Sequence, residues 1–246
     1  MSKEKTWYLQ CKKRLPEIGI LVGDPARVDI FAANMEQVTK VSSHHGFKMI
    51  IGQFKKTPMS VLSFGMGAPA AAVAIEELAI LGTKIVVRAG TAMALNCSLG
   101  DLIVAEGAVR LDGTSPWYLP LAFPAIPDAQ LLTAFIKYLE QEKINYVSGI
   151  MISIDALHPK RIAQLDPKRI AQLEKENMNL TQHIRGIDME TATIFAASRE
   201  LGLRSLSVCL ASVKFGNFEK LSKKERKNGE QHLVSVVLQG VCQYVK

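Results

Sequence analysis

Cysteine is scarce in this chain. Cys11, Cys97, Cys209 and Cys242 are far apart among 246 residues, and no two form a Cys-x-x-Cys pair. That pattern excludes a disulfide framework and reads as reduced, mostly buried thiols. The five histidines show no metal-ligand spacing; His44 and His45 are adjacent and would diverge on a strand, so no metal is expected. No apolar run reaches membrane-spanning length without a charge, since Ala70 to Leu81 carries Glu76 and Glu77. Met1 to Leu15 mixes Lys, Glu, Gln and Arg, which predicts no signal peptide and a cytoplasmic protein. The basic clusters (Lys12-Lys13-Arg14, Lys55-Lys56, Lys160-Arg161, Lys168-Arg169 and Lys220 to Lys227) lack interleaved aromatics. With no helix-turn-helix, zinc or RNA-recognition signature either, the net charge of +7 reads as solvated surface rather than a nucleic-acid interface. A mild preference for anionic small molecules fits that charge.

What is present is alternation. A hydrophobic content of 48% over this length supports one substantial core, so 1–246 is expected to be a single domain. Strand character is read at Ile18–Val22, Val61–Phe64, Ile85–Val87, Leu102–Ala105, Ala108–Leu111, Val147–Ile154 and Ser205–Val213, with Gly107 as a bulge or turn. Helical spacing is read from Pro25, and over Ala70–Leu81, Leu131–Lys143, Thr191–Leu201 and Leu233–Tyr244. The order predicts an α/β protein, a three-layer α/β/α domain around a mixed, twisted central sheet. One segment departs from it. Pro159–Asp166 is followed at once by Pro167–Glu174, a tandem copy of eight residues changed only at the last, expected in a surface helix or lid.

Three places can carry chemistry. Gly23-Asp24-Pro25-Ala26-Arg27 follows the first strand; Asp24 can cap a helix that starts at Pro25, Gly23 leaves the backbone open, and Arg27 adds a guanidinium. Free N–H groups, a helix dipole and that guanidinium make an anion site; a capped turn with a solvated arginine is the other reading. Arg88 closes Ile85-Val86-Val87 and precedes Gly90-Thr91, where an arginine and a hydroxyl at a strand end can hold phosphate or carboxylate. It can equally be an arginine reaching for water. Asp188-Met189-Glu190 stands ahead of Thr191-Ala192-Thr193, where a carboxylate can accept two sugar hydroxyls or simply complement a helix dipole. Gly65-Met66-Gly67 offers close backbone approach but lacks the spacing of a dinucleotide or nucleotide loop.

Taken in order, Val22-Gly23-Asp24-Pro25-Ala26-Arg27-Val28, Ile75-Glu76-Glu77-Leu78, Val87-Arg88-Ala89-Gly90-Thr91 and Asp188-Met189-Glu190-Thr191-Ala192-Thr193 resemble the nucleoside phosphorylase family. The resemblance runs from Ile18 to the C-terminal helix, and Val109 to Ser115 with Leu121 to Ala125 looks most like its uridine phosphorylase branch. It implies phosphorolysis of a nucleoside, uridine-like, to free base and ribose 1-phosphate, with inorganic phosphate as co-substrate and no cofactor. It also implies that Gly23, Arg27, Arg88 and Thr91 hold phosphate, and that Met189 and Glu190, with Thr91, hold the ribose. Arg88 and Glu190 would be the catalytic pair. Sites of the family are completed across a subunit boundary, which implies a homodimer or a trimer of dimers.

The chain also departs from that pattern. His45 stands where a partner subunit lends an arginine to phosphate, and Tyr8 where it lends a histidine near the sugar. Ala211-Ser212-Val213-Lys214 has no acid where purine enzymes of the family protonate the base. Leu157 and Arg161 fall where uracil is read, just before and within the duplication. A purine or modified nucleoside, or a weakly active nucleoside-binding homologue, are the alternatives. Arg88→Ala is expected to abolish phosphorolysis and leave the fold intact.

Overall fold

A strand with neighbours on both sides and helices on both faces must be apolar throughout, and Ile18–Val22 (β1) is buried at every residue. The computed structural model describes residues 5–42, 44–156 and 181–245. After β1 come helix α1 (Pro25–Ala33), strands β2 (Glu36–Ser42), β3 (Lys48–Phe54) and β4 (Thr57–Ser63), and helix α2 (Ala68–Ile80). Strands β5 (Ile85–Ala94) and β6 (Leu102–Leu111) follow, then α3 (Ala129–Gln141), β7 (Val147–Ile154) and β8 (Ile184–Asp188). Helix α4 (Thr191–Glu200), strand β9 (Arg204–Lys214) and helix α5 (Lys223–Tyr244) complete the described chain.

The strands form one mixed sheet in the order β2-β3-β4-β1-β5-β8-β7-β6-β9, as expected. β1 lies parallel to β4 and β5, while β3 is antiparallel to both β2 and β4. The far end does not stay open. β9 is antiparallel to β6 and also runs parallel to β5 from Ile85 to Ala94, so β5, β8, β7, β6 and β9 close on one another. Alternate residues of the strands feed two cores. Ile20, Val61, Val87 and Val208 pack against α1, α3 and α5, whereas Leu21, Leu62, Val86 and Cys209 pack against α2 and α4. Helices therefore cover both faces.

Several boundaries differ from the sequence reading. Arg88 does not end its strand: β5 continues to Ala94, because β9 pairs with it throughout and β8 joins at Met93 and Ala94. Leu102–Ala105 and Ala108–Leu111 are one strand, with a register shift against β7 between Ala105 and Gly107 where a bulge was expected. β2 was not predicted, being a polar edge strand exposed over most of its length, and β3 and β8 were missed too. α5 starts at Lys223 rather than Leu233; its polar opening turns are set by a capping box between Ser222 and Glu225 instead of by apolar spacing. The duplicated segment 159–174 lies outside the described residues.

Helix α5 approaches α3 closely because Gly240 presents no side chain: a Cβ there would lie 2.4 Å from the ring of Phe135. Gly240→Ala is expected to destabilise the fold by about 1–3 kcal/mol, the usual range for overpacking a filled core. Chemical denaturation should show a lower midpoint with an unchanged slope.

Candidate active site

The backbone brings the turn at Gly23 and the turn at Gly65-Met66-Gly67 together. β1 and β4 are parallel and end side by side, and the pairing continues past them: Phe64 N donates to Val22 O and Gly65 N to Gly23 O, both at 3.1 Å. A Cβ on Gly23 would meet Gly65 O at 2.9 Å, so the approach requires glycine at position 23. Gly65 and Gly67 both have positive φ, which aims the β4–α2 turn into the same space. Asp24 caps α1 by accepting from Ala26 N at 2.9 Å, with Pro25 at the first helical position as expected.

Arg27 rises from that first turn but is not solvated. Only 3% exposed, it donates through Nη1 to Ala89 O at 3.1 Å and through Nη2 to Glu230 of α5 at 3.0 Å. Arg88 is equally buried and pairs with Leu21, so it lies level with the end of β1 although β5 runs on. The strand-end logic thus holds through β1 and β4. Nη2 of Arg88 lies 2.7 Å from Glu190 and 3.1 Å from Asp188. Gly90 makes room for it, since a Cβ there would lie 2.6 Å from the guanidinium carbon.

The two acids of Asp188-Met189-Glu190 do different work. Asp188 accepts from Thr191 N at 3.2 Å, from the Thr191 hydroxyl, and from Ser153 Oγ at 2.7 Å. It therefore caps α4 and anchors the strand β7. Glu190 makes no capping bond; its carboxylate accepts from Gly67 N at 2.7 Å and pairs with Arg88. The helix-dipole reading thus falls to Asp188. Burial pushes the Glu190 carboxyl above the ordinary carboxylate range; Arg88 opposes the shift and Asp188 adds to it. Burial alone would lower the Arg88 pKa, but the charges of Glu190 and Asp188 outweigh it and hold the guanidinium firmly protonated.

These side chains line one cavity of about 460 Å³. Its wall takes Gly23, Arg27, Arg88, Thr91, Met189 and Glu190 from the expected set, and adds Gly65, Met66 and Arg226. Nε of Arg27 and Nε of Arg88 are buried without a hydrogen-bond partner among the described residues. An unsatisfied buried donor costs about 1–3 kcal/mol, so both arginines are held at some cost to stability. Among the described residues no cluster of His, Cys, Asp and Glu could hold a metal, and no helix is long and apolar enough to cross a membrane.

The remaining expected residues lie elsewhere. Tyr8 and His45 are outside the lining of this cavity but meet each other, with ring centroids 5.8 Å apart and edge to face. The Glu77 carboxylate holds that N-terminal segment by accepting from the backbone N–H groups of Trp7, Tyr8 and Leu9. Leu157 and Arg161 lie outside the described residues. Arg226 and Glu230 were missed, because the run Lys220 to Lys227 reads as a solvated charged face. The only hint in the sequence is the i, i+4 spacing of Arg226 and Glu230.

The cavity thus gathers two guanidiniums, a buried carboxylate and glycine turns at the ends of parallel strands, the place where ligand sites of open α/β sheets form. The chain belongs to the phosphorylase superfamily, whose model matches residues 17–238. It is 33% identical over 229 residues to uridine phosphorylase of Thermococcus kodakarensis, covering 89% of this chain and 82% of that one. Uridine phosphorylase of Escherichia coli is 30% identical, covering 97% and 98%. A guanosine phosphorylase of Halorubrum lacusprofundi is 33% identical over 195 residues, covering 78% and 76%. Among solved structures, Vibrio fischeri uridine phosphorylase complexed with 6-hydroxy-1-naphthoic acid superposes with a TM-score of 0.83 at 29% identity, covering 97% of each chain.

Gly90→Ala should displace the Arg88 guanidinium without touching either apolar core. Titration with inorganic phosphate should show binding weakened about tenfold or more, the scale of one charge-assisted hydrogen bond. Far-UV circular dichroism should keep its shape, while the thermal midpoint falls because the displaced cation compensates Asp188 and Glu190 less well.

Proposed function

We propose that this protein cleaves the N-glycosidic bond of a nucleoside by phosphorolysis, with a uridine-like substrate, and that inorganic phosphate is the co-substrate. The observation that carries this reading is that two buried arginines, Arg27 and Arg88, line one cavity together with Glu190. Arg27, Arg88, Thr91 and the backbone at Gly23 would hold phosphate. Glu190 would accept the ribose 2′ and 3′ hydroxyls, with Met189 against the sugar. A phosphate oxygen then forms a bond to C1′ as the C1′–N bond breaks, and its electron pair leaves with the base, which takes up a proton. Guanidinium suits the task because it never gives up its proton at working pH. Holding phosphate and C1′ in attack geometry contributes up to about 7–11 kcal/mol in well-oriented cases. A hydrolytic reaction has no use for two buried cations aimed at the nucleophile.

The pyrimidine preference is supported by the uridine phosphorylases among the relatives and by the end of β9, where Val213 and Lys214 offer no acid for a purine ring. Lys214 is itself tied to Cys97 O at 2.9 Å. Tyr8 and His45, paired with each other and away from the chain's own cavity, suit residues lent to a neighbouring subunit, which supports a homodimer or a trimer of dimers. Base-reading roles for Leu157 and Arg161 are part of the same proposal.

Base release from uridine, guanosine and other nucleosides, followed with and without phosphate, tests the reading. Phosphate-dependent formation of ribose 1-phosphate from uridine is expected; release that ignores phosphate would overturn it. Arg88→Ala is a poorer probe than the sequence suggested. It leaves Asp188 and Glu190 buried without their cation, a loss of roughly 3–5 kcal/mol when one partner of a buried pair is removed. Arg88→Lys keeps the charge and should fold, yet lose most turnover because one ammonium cannot reproduce the guanidinium fork.

A pH dependence follows from Glu190. Its ionised form is the acceptor for sugar hydroxyls, and burial raises its pKa, so that form is lost on acidification sooner than for an ordinary carboxylate. At saturating phosphate, kcat/KM for the nucleoside should fall as pH drops, with its acid limb above the usual carboxylate range. A limb at or below that range would show Glu190 to be unperturbed in the free enzyme.

A further inference from the structure

The charged run Lys220 to Lys227 is left unexplained by the site as drawn so far. Lys223 and Lys224 stand in the first turn of α5, where the helix dipole disfavours cations by about 0.3–1 kcal/mol each and Glu225 offsets part of it, and Arg226 and Lys227 follow at once. Such placement opposes stability, so an anionic partner is the natural explanation. Arg226 is the member of this run that lines the cavity holding Arg27 and Arg88. Its Nε donates to Glu230 Oε1 at 3.1 Å, and the same oxygen accepts from Arg27 Nη2 at 3.0 Å. One carboxylate thus joins a half-exposed guanidinium at the cavity rim to a buried one in its wall. Nη1 and Nη2 of Arg226 have no partner among the described residues.

We propose that Arg226 is a third phosphate-binding guanidinium, supplied by the subunit's own α5, and that Glu230 is the positioning residue that holds it beside Arg27. The proposal rests on the phosphorolytic reading and deepens it. It assigns this subunit a cation of its own at the rim of the cavity, opposite the buried arginines of the wall. Glu230 is well suited to the role: it neutralises part of the repulsion between two guanidiniums that share one anion. Because its bond to Arg226 engages Nε, both terminal nitrogens of that half-exposed side chain stay available as donors at the cavity rim.

The test compares the wild-type protein with Arg226→Ala, Arg226→Lys and Glu230→Gln, by calorimetric titration with inorganic phosphate and by steady-state kinetics. Arg226 is half exposed, so Arg226→Ala and Arg226→Lys should leave thermal unfolding nearly unchanged. Arg226→Ala is expected to raise Kd and KM for phosphate about tenfold or more, the scale of one charge-assisted hydrogen bond, with nucleoside KM nearly unmoved. Arg226→Lys should recover part of the loss, and Glu230→Gln should weaken phosphate binding by loosening both arginines. Wild-type phosphate affinity in Arg226→Ala would overturn the proposal while leaving the phosphorolytic reading standing. If the wild-type protein itself takes up no phosphate, both fall together.

Discussion

A charge taken out of water must be met by charge, and Arg88 is where this protein meets that requirement. Its guanidinium lies buried between Asp188 and Glu190, each within hydrogen-bond distance of the same nitrogen. Those carboxylates are in turn fixed by other segments. Asp188 is held by Ser153 on β7 and by Thr191 at the start of α4, and Glu190 by the backbone N–H of Gly67 in the β4–α2 turn. Four parts of the chain therefore converge on one cation. Removing any partner leaves the others buried and uncompensated, so the arrangement persists only as a whole.

The closed run of strands gives that cluster its setting. Because β9 returns to β5, Arg88 is flanked on both sides by paired backbone and has no path to solvent along its own strand. Space comes instead from glycine: Gly90 clears the guanidinium, and Gly23 lets two strand ends approach until their turns hydrogen-bond. The result is a cavity wall whose arginines are held by fixed partners, Arg27 by Ala89 and Glu230 and Arg88 by Asp188 and Glu190. Glu77 extends the same economy outward by using one carboxylate to tie down the three backbone N–H groups around Tyr8. That accounts for an acid inside the apolar stretch of α2.

Legibility in the sequence followed physical locality. β1 with its capped turn was readable because a β-branched run, a glycine and an Asp-Pro pair each act on their immediate neighbours. β7 and the helical core of α4 were readable for the same reason. β2 was not, since an exposed edge strand carries no apolar period, and the polar start of α5 was hidden by its own charges. Within the site, Gly23, Arg27, Arg88, Thr91, Met189 and Glu190 were all singled out and all line the cavity. Arg226 and Glu230 were not, because their significance comes from Arg27, some two hundred residues earlier in the chain.

Residue order alone was enough for the α/β class, the capped turn after β1 and the choice of the two arginines that line the cavity. These follow from short-range rules of propensity, capping and charge. Whether those arginines were solvated or buried, which of two neighbouring acids caps the helix and which faces the cavity, and which surface cation joins them were decided by folding. Each depends on long-range pairing, on β9 closing against β5 and α5 packing over α1 and α3, and no local pattern encodes where such partners meet.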